Sequence, residues 1–347
     1  MNRKHLTVLF LMGIIVFTCK KSDPIIEKID TFLGFQKPIN FPEPVYNFAA
    51  NKITKEGFEL GRMIFNEPRL SRNNTITCGS CHIQSSAFTQ HGHDVSHGIN
   101  DRLGTRNSPP IMNLAWSKAF NWGGGVYDLD LQPITPITTH EEMDENLENV
   151  YNKLRAMPKY TSKFKAVFGT EEINTIRFMK ALSQFMLLCI SSNSKYDKVM
   201  RKEGGISFST EELEGYNVFK QKCASCHAEP LFTDGSFRNN GLTISPVNDK
   251  GLYAATLIET DKYKFKVPSL RNLKYTAPYM HDGRFLSLAA ALEHYTNEVV
   301  PTPNLDPILS GNKRGISLTE SEKTKIIAFL STLNDEKFIK NQLLAEQ

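Results

Sequence analysis

Apolar residues recur at helical spacing in three separate stretches of this chain, with few of the alternations that mark strands. From Thr54 to Phe65, residues Phe58, Leu60, Met63, Ile64 and Phe65 form one stripe, which Pro68 ends. Ahead of residue 223, Leu213, Tyr216, Val218 and Phe219 form a second, opened by Ser209 and Glu212 at capping-box spacing. Near the end, Ser317 with Glu320 predicts another capping box before Ile326, Ile327, Phe329 and Leu330. A polar loop from Ser71 to Thr77 follows the first stripe, and Gly and Pro are frequent between Gly92 and Pro136. The pattern predicts a mostly α architecture with long loops, and 347 residues suffice for two domains of ordinary size.

The first residues break this pattern. Arg3, Lys4 and His5 precede an apolar run from Leu6 to Phe17, too short for an ordinary transmembrane span. Residues 1–18 therefore read as an export signal. Cys19 follows Val16-Phe17-Thr18, a loose lipobox, so it is expected to become an acylated N-terminus. The other reading is a plain secretory signal with an incidental cysteine. Residues 19–50 carry several prolines and polar residues and are expected to form a tether. The expected location is the periplasm, with membrane association by the lipid anchor only. The formal charge of +4, from 41 Lys and Arg against 37 Asp and Glu, comes without a basic run and gives no reason to expect nucleic-acid binding.

Two pentads carry the chemistry: Cys78-Gly79-Ser80-Cys81-His82 and Cys223-Ala224-Ser225-Cys226-His227. Each is C-x-x-C-H, the attachment pattern of a c-type haem. Thiols three positions apart lie close together on one helical turn, where both can bond the vinyl groups of one porphyrin. The next residue then supplies an imidazole to the iron. His82 and His227 are thus the expected proximal ligands of two haems. A zinc held by the four cysteines would leave the histidine after each pair unexplained and would span an unusual separation. Cys189 remains, in the apolar stretch 185–190, and is expected to be a buried packing thiol. One pentad in each half suggests a first haem domain over 51–200 and a second over 201–347.

Further motifs occur in a consistent order. They are Leu60-Gly61-Arg62, Leu70-Ser71, the run from Gly104 to Pro109, Asn121-Trp122, Gln132 through Glu142-Met143, the run from Val267 to Asn272, and the run from Tyr279 to Arg284. Together with the pentads, from about Leu60 to Leu333, they resemble the bacterial di-haem cytochrome c peroxidases, MauG-like proteins included. The resemblance implies two cytochrome c-like domains, each wrapped around one haem. It also implies that Glu142 shuttles a proton between the peroxide oxygens while Gln132 orients the ligand. Read from composition alone, Glu141, Glu142, Asp144 and Glu145 are a solvated acidic helix start. His97 matches a mobile distal histidine of the first haem, with His93 and His91 as alternatives and surface histidines as the bland reading. Trp122 falls at the family's relay between the haems; otherwise it is a core aromatic. A calcium ion is implied at Asn107, Thr276 and Pro278, which would otherwise read as turn formers.

One position departs from the peroxidase pattern. The second haem's distal methionine is expected fourteen residues after His281, where this chain has Tyr295, as MauG-like proteins do. Met280, His294 or an open site are the alternatives. His281, Arg284 and Arg271 are candidate partners of haem propionates. The leading expectation is a peroxidase that reduces hydrogen peroxide to water with electrons from a small cytochrome or copper protein. A MauG-like oxidase of a protein or organic substrate comes second, and a non-catalytic di-haem electron carrier third. A homodimer is the expected oligomer.

Overall fold

The computed structural model describes residues 32–347, so the export signal and Cys19 lie outside the described residues. The fold is mostly helical. Its only paired strands among the described residues are Phe237–Arg238 and Phe265–Lys266, antiparallel with Phe237 opposite Lys266. No helix among the described residues is long and apolar enough to cross a membrane.

Each half is built on a helix that leads into its pentad and packs on a later helix. The first is Lys55–Phe65, capped by the Thr54 hydroxyl, which accepts from Gly57 N at 3.0 Å. Its stripe, Phe58, Leu60, Ile64 and Phe65, is buried, and it packs on Thr175–Met186. The second is Thr210–Lys222, where the Ser209–Glu212 capping box forms as the sequence predicts. It packs on Glu320–Ser331. A glycine sits at each crossing. A Cβ on Gly61 would lie 2.0 Å from the Ala181 carbonyl oxygen, and one on Gly215 would lie 1.9 Å from that of Lys325. The last capping box forms two residues later than predicted, between Thr319 and Glu322. Both registers satisfy the capping pattern, and the later one leaves Leu318 buried while the Ser317 carbonyl accepts from Lys222 Nζ at 2.6 Å.

Two apolar cores result. The larger gathers Phe58, Phe65, Phe88, Tyr160, Phe178 and Phe185, and the smaller gathers Tyr196, Phe219, Phe232, Ile326 and Phe329. Packing departs from the 51–200 and 201–347 division in two places: Tyr196 belongs to the second core, and Phe338 and Leu344 return to the first. The described part of the expected tether is not free. Phe41 is 4% exposed and meets Trp116 edge-on, while Val45 N and Tyr46 N donate to the Ala115 carbonyl. Apolar side chains spaced along this segment give it surface to bury, which outweighs its prolines. Cys189 is fully buried, as expected.

Candidate active site

The two pentads fold alike. In each, the histidine N–H donates to the carbonyl of the first cysteine, His82 to Cys78 at 2.9 Å and His227 to Cys223 at 3.0 Å. Both cysteine pairs are free rather than bridged. Burial, then neighbouring charges, push the Cys78 thiol up to about 12 and Cys81 up to about 11; burial likewise pushes Cys223 up to about 12. A redox dithiol has the opposite character, an acidified exposed thiol.

The histidines suit iron. His82 Nδ1 lies 2.8 Å from the Phe88 carbonyl, and His227 Nδ1 lies 3.2 Å from the carbonyls of both Phe232 and Pro268. An imidazole whose Nδ1–H is held this way presents Nε2 as a lone-pair donor. Burial lowers the pKa of both rings, which keeps them neutral. Beside His227 lies a cavity of about 210 Å³, lined by Cys223, Cys226, Tyr295 and apolar residues such as Phe219, Leu292, Ile326 and Leu330. A flat apolar macrocycle fits that chemistry.

Tyr295 reaches this cavity from a π-helical turn, His294–Glu298, that extends the helix Leu288–Glu293. Such turns are rare and concentrate at functional sites. The turn is pinned where the Tyr295 carbonyl accepts from Ile316 N at 2.7 Å. Met280 lines the same cavity; His294 instead places Nε2 3.0 Å from the Asn240 carbonyl. The Asn240 amide nitrogen reaches both remaining candidates, lying 3.3 Å from Tyr295 Oη and 3.8 Å from Met280 Sδ. Burial pushes the free phenol of Tyr295 up.

The first pentad packs against the larger apolar core, with Phe65 beside His82, and meets polar groups elsewhere. Glu142 is half-buried, its carboxyl is raised by burial and then by Glu141, and its charge is felt at both Cys78 and Cys81. Three consecutive carbonyls hold its turn in place: that of Glu142 accepts from Ile99 N at 2.8 Å, that of Met143 from Arg72 N at 3.0 Å, and that of Asp144 from Arg72 Nε at 2.6 Å. The Asp144 carboxylate joins Arg72 and Arg102 at 3.0 and 2.9 Å. Gly98 sits so close that a Cβ would lie 2.0 Å from the Glu141 oxygen and 2.4 Å from that of Glu142. His97, next to it, has Nδ1 3.0 Å from Asp101 and Nε2 3.1 Å from His93 Nδ1, so ligation through Nε2 requires the His93 contact to open while Asp101 can keep holding Nδ1. His91 Nδ1 lies 2.8 Å from the Ser86 hydroxyl. Gln132 is half-buried and donates to Asn121 Oδ1 at 3.2 Å, beside Trp122.

Trp122 lies at the wall of the cavity, and its indole N–H donates to the Asn107 carbonyl at 2.8 Å. Asn107 Nδ2 donates to the carbonyls of His93 and Asp94 at 3.3 and 3.0 Å, which leaves its amide oxygen. Thr276 and Pro278 line the same cavity as Asn107. Arg271 is not free for a propionate: it is fully buried, with Nη1 and Nη2 on Asp197 at 2.9 and 2.8 Å and Nε on the Pro230 carbonyl at 3.0 Å. Arg284 commits its guanidinium to Asp282 and Thr243. His281 stacks on Phe265 with centroids 3.6 Å apart. The roles of Asp144, Arg72 and Asn240 escape a reading of the sequence, because each acts on a partner distant along the chain. Only Asp144, two residues from Glu142, carried a local hint.

With this geometry, known proteins can be compared. The family model of di-haem cytochrome c peroxidases matches residues 55–205. The methylamine utilization protein MauG of Methylorubrum extorquens is 34% identical over 312 residues, covering 87% of this chain and 84% of that protein. The chain belongs to the di-haem cytochrome c peroxidase family. Family membership implies two c-type haems. The cytochrome c551 peroxidase of Nitrosomonas europaea is 33% identical over 284 residues, 80% of each chain. A crystal structure of a MauG-like protein associated with microbial copper homeostasis superposes with a TM-score of 0.78 at 30% identity, covering 90% of this chain and 99% of that one.

Proposed function

We propose that this family member is a MauG-like peroxide-dependent oxidase that reacts from its fully oxidised state and draws electrons from a protein or organic substrate. The observation that carries this reading is Tyr295, held by a π-helical turn in the cavity of His227. A phenolate is a hard anionic ligand and favours oxidised iron, so a haem that His227 and Tyr295 held would be a poor single-electron acceptor. This reverses the order expected from sequence, which placed the peroxidase first.

When bound at the two pentads, the haems would supply the redox chemistry toward peroxide. The chain's own groups do the rest. Glu142 takes the proton from the near peroxide oxygen and returns it to the far one, which leaves as water. A carboxyl raised by burial suits both halves of that transfer near neutral pH. Gln132 orients the peroxide, and Trp122, held by Asn107, relays electrons between the halves. Asn107, Thr276 and Pro278 hold calcium at the junction through amide and carbonyl oxygens. His97 would be free to ligate the first haem through Nε2 once it has left His93, with Asp101 still on Nδ1. Export, acylation of Cys19 and dimerisation belong to this reading as well.

A second reading, a peroxidase fed by a small cytochrome or copper donor, is supported by Met280, which lines the same cavity. Optical and electron paramagnetic resonance spectra of the oxidised holoprotein separate the two. A phenolate-to-iron absorption that vanishes in Tyr295→Phe and survives Met280→Leu supports the oxidase; a thioether-to-iron absorption that vanishes in Met280→Leu and survives Tyr295→Phe supports the peroxidase.

A further inference from the structure

Three cations line the cavity beside His227: Lys222, Arg238 and Lys266. Two are already neutralised. Lys222 pairs with Glu322 at 2.8 Å, and Arg238 pairs with Asp234 at 2.7 Å and Asp306 at 2.8 Å. Lys266 is different. Its Nζ donates to the Ala119 carbonyl at 3.0 Å, and no carboxylate among the described residues pairs with it. Burial alone lowers its pKa, to about 8. An ammonium withdrawn from water without a counter-ion is costly, and proteins rarely keep one without an anion to meet it.

The missing anion has an evident source. Lys266 sits in the short strand opposite Phe237, and its neighbours Phe265 and Val267 line the same cavity as Cys223, Cys226 and His227. A porphyrin attached there would bring two propionate carboxylates into a largely apolar space in which Lys266 is the cation without a carboxylate partner among the described residues. We propose that Lys266 is the ion-pairing ligand of a propionate of the second haem, and that its charge sets that haem's potential. The same residue's N–H donates to the Trp122 carbonyl at 2.8 Å, so the propionate contact also fixes the backbone of the proposed relay. The proposal rests on His227 being the proximal ligand and is independent of whether Tyr295 or Met280 lies opposite.

The sign follows from charge. A cation near the haem disfavours the extra positive charge of ferric iron, so removing it stabilises the ferric form. The test is a spectroelectrochemical titration of both haems in the full-length holoprotein and in K266M, K266Q and K266R, with haem attachment counted by mass spectrometry. K266M and K266Q are expected to lower the midpoint of the second haem by about 59 mV or more, a tenfold change in the ferric-to-ferrous ratio. K266R is expected to stay near the unaltered value. If K266M fails to mature, K266Q decides by the same criterion. A second-haem midpoint in the neutral variant equal to that of K266R overturns the proposal, as does a shift confined to the first haem. An unaltered chain without haem on Cys223 and Cys226 overturns the assignment of His227 instead, and this proposal with it.

Discussion

The two halves hold their pentads in the same way and differ in what they place around them. In both, a helix crosses a partner at a glycine, Gly61 on Ala181 and Gly215 on Lys325. In both, the histidine N–H closes on the first cysteine's carbonyl and Nδ1 faces a backbone carbonyl. Beyond that the likeness ends. The first pentad is surrounded by loops carrying Glu142, His97 and the Asp144–Arg72–Arg102 cluster, whereas the second faces an apolar cavity with Tyr295. On the proposed function, the common grip would supply attachment and the surroundings would divide the labour: proton transfer needs polar groups that can move, whereas storing an oxidising equivalent needs an enclosed, fixed ligand.

Four substitutions sharpen or break this contrast. Glu142→Gln has the largest expected effect, a loss of about 10²–10⁴ in the rate of reaction with peroxide and little change in the second haem's spectrum. In the unaltered chain the acid limb of that rate lies above the ordinary glutamate range, because burial and then Glu141 raise the carboxyl; the limb vanishes in Glu142→Gln. A retained rate would return Glu142 to a surface role.

Arg271→Met comes next and acts on the second half. It leaves Asp197 buried without its partner, at a cost of about 3–5 kcal/mol read as a lower urea midpoint. Burial alone would raise Asp197; Arg271, together with Ser194 and Asn40, more than offsets it, so its carboxyl sits below the usual range. The stability it contributes is present above the unfolded carboxylate pKa and is lost as pH falls through the lower folded value.

Gly98→Ala is expected to cost about 1–3 kcal/mol by pushing the His97 loop off the Glu142 turn. It should also slow the peroxide reaction, a coupling that stopped-flow and urea titration together would reveal. Trp122→Phe is the mildest: stability changes little, while electron transfer between the haems, followed after a flash of reductant, slows.

What the sequence made legible was local. The Ser209–Glu212 box and the stripe from Phe58 to Phe65 each state their structure within one or two helical turns, and both form as read. Tyr295 was reached by counting from His281, and it lines the cavity that His227 also lines. Arg271 was misread because its partner, Asp197, is 74 residues away and only tertiary folding joins them. The same holds for the return of Phe338 and Leu344 to the first core. Lys266 carried a faint signal, a cation between Phe265 and Val267, but its lack of a counter-ion is visible only when the cavity's other cations are seen to be paired.

The central claim is that Tyr295 lets the enzyme react with peroxide without first being reduced. The most direct measurement is a stopped-flow optical scan of the fully oxidised holoprotein mixed with one equivalent of hydrogen peroxide. The account predicts rapid reaction and a long-lived oxidised species spread over both haems. No reaction until one electron is supplied, followed by turnover with a reduced donor, would contradict it and establish the reductively activated peroxidase; inertness in both states would leave only the electron carrier.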